Sequence, residues 1–216
     1  MSEWKGAPIM NTTLVVSISR EFGSGGHVVA RELSKLLDIP YYDKSILSRV
    51  AEEYHLDRNE LSKYEEKPSN LLITRSVRGF SNSPQDAIAE MQFDIIRKMA
   101  GNGESFIIVG HCSEEIQTEI PGILLITIFV TGDEKAKIAR VVERENLSWE
   151  QAKKRIKKVD AERQRYHARY CTKEWGDRSY FDVIVNSSKL GLEGTAEVLE
   201  HYVRARMETY EEDANE

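Results

Sequence analysis

A short β-branched run, Leu14-Val15-Val16-Ser17-Ile18, stops at Ser19-Arg20-Glu21-Phe22-Gly23-Ser24-Gly25-Gly26 and gives way to VVARELSKLL over residues 28–37. This order of strand, glycine-rich loop and amphipathic helix constrains the fold more than any other feature of the chain. The glycines let backbone amides turn inward with no Cβ in the way, and the following helix presents its positive end. Together they form an anion site suited to phosphate. From the loop alone, a tight strand-to-helix turn without a ligand is the competing reading. A Walker-type loop places Lys and then Ser or Thr after its glycines; here those positions hold Gly26 and His27.

Four further apolar runs have strand character: Tyr41-Tyr42, Phe106 to Val109, the continuous ILLITIFV of residues 123–130, and Val183-Ile184-Val185. Between them lie helical patterns. One is broken and runs from Ile46 to about Met99, with turn-rich stretches at 66–70 and 79–84 and a clear helix over about 85–100. The others cover 133–145, 148–170 and about 194–207, and Ser148 with Gln151 has the spacing of a capping box. Strands alternating with helices predict an α/β fold, a five-stranded parallel sheet flanked by helices on both faces. Residues 13–204 are expected to form one domain, with a flexible N-terminus over 1–12 and an acidic tail over 205–216 whose end, 211–216, is expected to be disordered.

Charge and cysteine content narrow the function classes. A net charge of −6 disfavours broad nucleic-acid binding through the whole-protein field. No run approaches the roughly 20 apolar residues of a spanning helix, and the N-terminus lacks the pattern of a secretory signal. The two cysteines, Cys112 and Cys171, are far apart in sequence and match no metal spacing, which predicts a reducing, cytoplasmic setting. The histidines at 27, 55, 111, 167 and 201 also show no ligand spacing, so no protein metal site is expected.

In folds of this class ligands sit beyond the carboxyl ends of the strands. Those positions hold residues 19–27, Asp43, Gly110-His111, residues 131–133 and 186–189. Asp43 has two compatible roles, capping the helix that starts at Lys44 and positioning a ligand. Arg140, Arg144, Arg155, Arg163 and Arg165 supply positive charge on two successive helices. Such a run is equally a solvated charged face, and Arg163 and Arg165, two apart, share no helical face unless the helix breaks.

The stretch Ser17 to His27 with Ile39-Pro-Tyr-Tyr-Asp-Lys44 resembles the cytidylate kinase-like family of bacterial P-loop proteins. Val109-Gly110-His111-Cys112, Lys157 to Arg163, Trp175-Gly176 and Val185 to Lys189 extend the resemblance over roughly residues 14–200. It implies a three-layer P-loop NTPase fold with a helical monophosphate-binding insertion at 44–100 and a lid at 148–180. It also implies an ATP-dependent nucleoside monophosphate kinase that moves the γ-phosphoryl group to CMP, dCMP or a related acceptor, with Mg²⁺ carried by the nucleotide. By the same resemblance Arg163, Arg165 and Arg140 act in catalysis. Arg20, Gly23, Ser24, Gly25, Gly26, His27, Asn186 and Lys189 hold ATP and its phosphates. Asp43, Lys44, Arg49, His111 and Glu162 bind the acceptor. His27 and His111 stand where the family commonly has arginine, so phosphate binding is expected to be weaker or pH-dependent. These departures, with the missing loop lysine, favour the alternative of a catalytically weak nucleotide sensor. The retained lid arginines favour the enzyme. The expected partners are small-molecule nucleotides, with no nucleic acid and no membrane, and the apolar positions of the insertion allow a homodimer.

Overall fold

The computed structural model describes residues 12–65, 76–77, 80–81, 83–115 and 122–214. Its main sheet is built from β1 (Thr13–Arg20), β2 (Tyr41–Tyr42), β5 (Phe106–Val109), β6 (Ile123–Thr131) and β7 (Val183–Asn186). The strands are all parallel in the order β2-β5-β1-β6-β7. A separate antiparallel pair, β3 (Ser76–Val77) and β4 (Phe80–Ser81), lies in the insertion, where the sequence reads as a broken helical pattern with a turn-rich stretch over 79–84. β1 is the middle strand, and the chain departs from it first toward β2 and later toward β6. The crevice at its carboxyl end is therefore the topological switch point.

The alternation of β1 explains the layers. Leu14, Val16 and Ile18 face α1 (Gly26–Leu37) and α7 (Ser187–Ala214), and with Ile126, Ile128, Leu33 and Leu199 they make a fully buried core. Val15 faces the other way, onto α2 (Ile46–Glu53), α3 (Arg58–Glu65) and α4 (Pro84–Gly101), packing with Phe106, Ile108 and Ile96. Toward the carboxyl end that second face turns polar: Ser17 and Ser19 are buried and bond to Glu114. The sheet is buried on both sides, as a parallel sheet must be.

α5 (Glu134–Glu145) and α6 (Trp149–Tyr170) form a third small core around Ile138, Val141, Ala152 and Ile156. Ser148 and Gln151 close the predicted capping box on α6. α6 is unbroken. No described helix is long and apolar enough to cross a membrane.

The tail differs from expectation. α7 continues to Ala214 after a break at Gly191, whose backbone is non-helical. The reason lies in a stripe: Ala196, Leu199, Val203, Met207 and Tyr210 recur at helical spacing and pack on the first core, so the helix runs on from its expected end near residue 207 through residue 214. Residues 1–11, on which the expectation of a flexible N-terminus falls, lie outside the described residues.

Candidate active site

The glycine loop is held from behind. Arg140 on α5 donates from Nη1 to the Gly23 and Ser24 carbonyls at 3.2 and 3.1 Å. Lys137 pairs with Glu21 at 2.8 Å, and the same carboxylate accepts from the Gly132 amide. Gly25 is the N-cap of α1 in the left-handed region, with no side chain capping the helix and no acid in its first turn. The amide end of α1 thus keeps its partial positive charge for a ligand. A Cβ on Gly25 would lie 2.4 Å from Leu192 Cδ2, so this glycine also admits α7 against the loop.

Around this loop the fold gathers a compact set of charges. Arg20 ends β1 beneath it, with Nη2 3.5 Å from Asp43 Oδ1. Asp43, at the end of β2, takes His27 Nδ1 on its other oxygen at 3.0 Å. Arg163 of α6 donates to the Arg20 carbonyl at 2.8 Å. Asp160, one turn earlier, accepts the Phe22 amide at 2.7 Å. Burial lowers the pKa of Arg20 despite the nearby acids Asp43, Glu114 and Asp160. Burial and then the charge of Arg20 push Arg163 down to about 9. Both remain cations at neutral pH, and their desolvation is the cost that an incoming anion would offset.

The loop after β5 makes room for Arg20. Gly110, His111 and Cys112 are three successive left-handed residues, with φ of 82°, 60° and 48°. The Gly110 amide bonds back to the Ile18 carbonyl. The φ of 82° favours glycine, and a Cβ there would meet Arg20 Nη1, so any other residue would have to displace the guanidinium from this position. Two non-glycine residues in this region mark stored backbone strain of the kind found at functional sites. The curl brings His111 Nδ1 to Gln92 Oε1 on α4 at 3.3 Å.

The pKa of His111 is lowered to about 4, first by burial and then by the charge of Arg20. It is neutral at pH 7, and the sign of its effect on stability follows. An unfolded chain protonates this imidazole near 6.5, the folded one only near 4, so the unfolded state binds more protons between those values. Stability is full above pH 6.5 and falls as pH drops toward 4. Thermal melts of wild type and His111→Gln from pH 4 to 7 are expected to converge at the acid end and to differ in slope. Parallel curves would remove His111 as the titrating group.

A family model described as the cytidylate kinase-like family matches residues 15–189. The chain belongs to that family. It is similar to the cytidylate kinase of Pyrobaculum calidifontis, 27% identical over 187 residues that cover 86% of this chain and 90% of that protein. The cytidylate kinase of Pyrobaculum arsenaticum is 28% identical over 181 residues, 83% and 86% of the two chains. A solved structure of an uncharacterized protein from Eubacterium ventriosum superposes with a TM-score of 0.69 at 33% identity, covering 89% of this chain and 99% of the other. Shikimate kinase from Bacteroides thetaiotaomicron superposes with a TM-score of 0.50 at 11% identity over 88% and 98%, a likeness of fold alone.

Several family-implied residues converge and others do not. Arg20, His27, Asp43, His111 and Arg163 gather beside the glycine loop of residues 23–26 at the carboxyl end of the sheet. Lys44 lies exposed at the rim of this group, close enough to help lower the His111 pKa. Asn186 and Lys189 meet on Asp133, each at 2.8 Å, at the ends of β6 and β7. Arg140 sits behind the loop, bonded to its carbonyls. Arg49 is placed elsewhere: it stacks on Tyr42 and pairs with Glu104, which precedes the amino end of β5. Arg165 is exposed, and Glu162 is half-buried beside it on the unbroken α6. The helix never breaks, so Arg163 and Arg165 point to different sides. Asp160, Gln92, Glu21 and Lys137 were missed by sequence reasoning. The buried residues Ala152, Ile156 and His167 fix one face of α6, and Asp160 and Arg163 fall along it.

Proposed function

We propose that this protein is an ATP-dependent nucleoside monophosphate kinase, transferring the γ-phosphoryl group to CMP, dCMP or a related phosphate acceptor. The observation that carries this reading is the apposition of Arg20 and Arg163 across the glycine loop, at the uncapped end of α1. Phosphoryl transfer asks a protein for positioning and positive charge around the moving group rather than covalent chemistry. In this reading the loop amides and α1 cradle the ATP phosphates, with Asn186 and Lys189 on the nucleotide side. Arg20 and Arg163 face the group in flight. Asp43 orients Arg20 and His27, and neutral His111 with Lys44 borders the acceptor.

Mg²⁺ fits as part of the nucleotide complex. Among the described residues, the carboxylates at the crevice do not group into a cage for a metal ion, and Mg²⁺ is commonly held by substrate phosphates with few protein ligands. The kinase relatives named above support catalysis over the non-catalytic sensor. A coupled assay of ADP release with ATP, Mg²⁺ and a panel of nucleoside monophosphates tests the reading. Turnover of roughly 1–100 per second with one acceptor is expected. Nucleotide binding without turnover for any acceptor would overturn it in favour of the sensor.

A further inference from the structure

On the sheet face opposite the main core, a set of buried donors lies outside the residues assigned above to the nucleotide, although Glu114 among them also faces Arg20. Glu114 lies in the 3-10 turn Ser113–Glu115 that follows the strained loop after β5. Its side chain has no exposed surface, and that of His167 is 3% exposed. His167 Nε2 is 3.0 Å from Glu114 Oε1. Ser19 donates to the same oxygen at 3.2 Å and Ser17 to the other at 3.4 Å. Donor atoms of Glu114, His167 and Cys171 all lie within 4.8 Å of one another. The thiol of Cys112 is hydrogen-bonded to that of Cys171, which holds the Cys171 pKa below its ordinary value.

One atom is not explained by a simple ion pair. His167 Nδ1 is buried and makes no well-formed hydrogen bond; besides Glu114, the imidazole's side-chain partner is the Cys171 sulfur. As an imidazolium that nitrogen would have only a sulfur, a weak acceptor, to receive its buried N–H. The local sequence supplies a different solution. His167 and Cys171 are four residues apart, the first in the last turn of α6 and the second its C-cap. They therefore project from the same side of the helix toward Glu114.

We propose that Glu114, His167 and Cys171 bind a zinc ion, with Cys112 the neighbouring side chain able to take the fourth position. A borderline cation with thiolate, imidazole and carboxylate donors is the chemistry this set selects, whereas Mg²⁺ and Ca²⁺ take all-oxygen shells. With a neutral imidazole, a Cys171 thiolate and a Glu114 carboxylate, the divalent ion leaves these three ligands formally uncharged, and a Cys112 thiolate in the fourth position would bring the cluster to −1. Zinc–ligand bonds of about 2.0–2.3 Å require the donors to draw together by about 1 Å. Side-chain rotation at a helix terminus and a short turn supplies that movement. Ser17 and Ser19 fix the carboxylate as outer-shell partners. The ion would fasten the C-terminal end of α6 to the loop that carries His111, joining the helix of Arg163 to the sheet.

The test is metal content and cobalt spectroscopy on the full chain, purified without a polyhistidine tag. One zinc per chain is expected, removed by a strong chelator, with the melting temperature falling when it goes. Titration of the metal-free protein with Co²⁺ should give a thiolate-to-cobalt charge-transfer band and the intense visible bands of a tetrahedral site. Cys171→Ser should weaken the charge-transfer band, and Cys171→Ser combined with Cys112→Ser should abolish it. No zinc above background, together with no charge-transfer band for the wild-type protein, overturns the proposal, and so does a band that survives unchanged in Cys171→Ser. Because the wild-type titration needs no variant to fold, the result stands even where substitutions in this buried cluster destabilise the chain. It is also independent of whether the protein turns over a nucleotide.

Discussion

Replacing Arg163 with methionine is expected to lower turnover by about 10²–10³-fold, the usual effect of removing one preorganised group from a charge-stabilising site. Arg163 is the one α6 arginine whose guanidinium reaches the end of β1, donating to the Arg20 carbonyl and lying 3.8 Å from Asp160. Methionine keeps the length and the helix propensity, so the fold should survive. The melting temperature is expected to move by a few degrees at most, because the change removes one hydrogen bond and one 3.8 Å ion pair while also relieving the desolvation of a mostly buried charge. The comparison that gives the experiment its force is Arg165→Met. Arg165 is exposed, so steady-state kinetics should show a change of less than about twofold. Equal losses in both variants would mean that general lid charge, rather than the face of α6, matters. An unaffected Arg163→Met enzyme would remove Arg163 from the catalytic set.

The second large effect concerns the scaffold. Ile126, on β6, is fully buried between α1, α7 and the neighbouring strands. Ile126→Ala is expected to cost about 2–5 kcal/mol, from lost transfer energy and the cavity left behind. For a chain of this size that corresponds to a drop of roughly 10 °C in melting temperature. Ile184, on the neighbouring edge strand β7 where it pairs with Phe129 of β6, is 43% exposed. Ile184→Ala should fall within about 1 kcal/mol of wild type. Calorimetric or dichroism melts of the pair separate burial from β-propensity. Similar losses would mean that β7 is covered by something beyond this chain.

Local signals carried much of the fold. The β-branched runs, the glycines after β1 and the Ser148–Gln151 spacing act over a few residues, and every strand of the main sheet lies where they predicted. Boundaries failed where an apolar stripe was overlooked, as with Tyr210, which helps carry α7 past the expected end near residue 207. The candidate site divided along the same line. Residues directly after strands, Arg20, Asp43 and His111, could be located because parallel topology puts strand ends together whatever the side chains do. The inward face of α6 was also open to reading, since Ala152 and Ile156 set its phase and Arg163 and His167 follow at seven and eleven residues from Ile156.

Pairings across long stretches of chain had no such signal. Arg49 meets Glu104 across 55 residues, and His167 meets Glu114 across 53. A side chain several bonds long can satisfy its charge with any opposite partner that packing brings near, so composition and spacing leave the choice open. Three-dimensional packing took Arg49 away from the crevice. It also turned two serines of β1 into the polar floor beneath Glu114, and it gathered residues 112, 114, 167 and 171 into one cluster. What periodicity determined was which elements form and which way each faces. Which charges meet was decided only once the sheet had closed, because burial makes an unpaired ion too costly and forces each one onto whatever partner the fold provides.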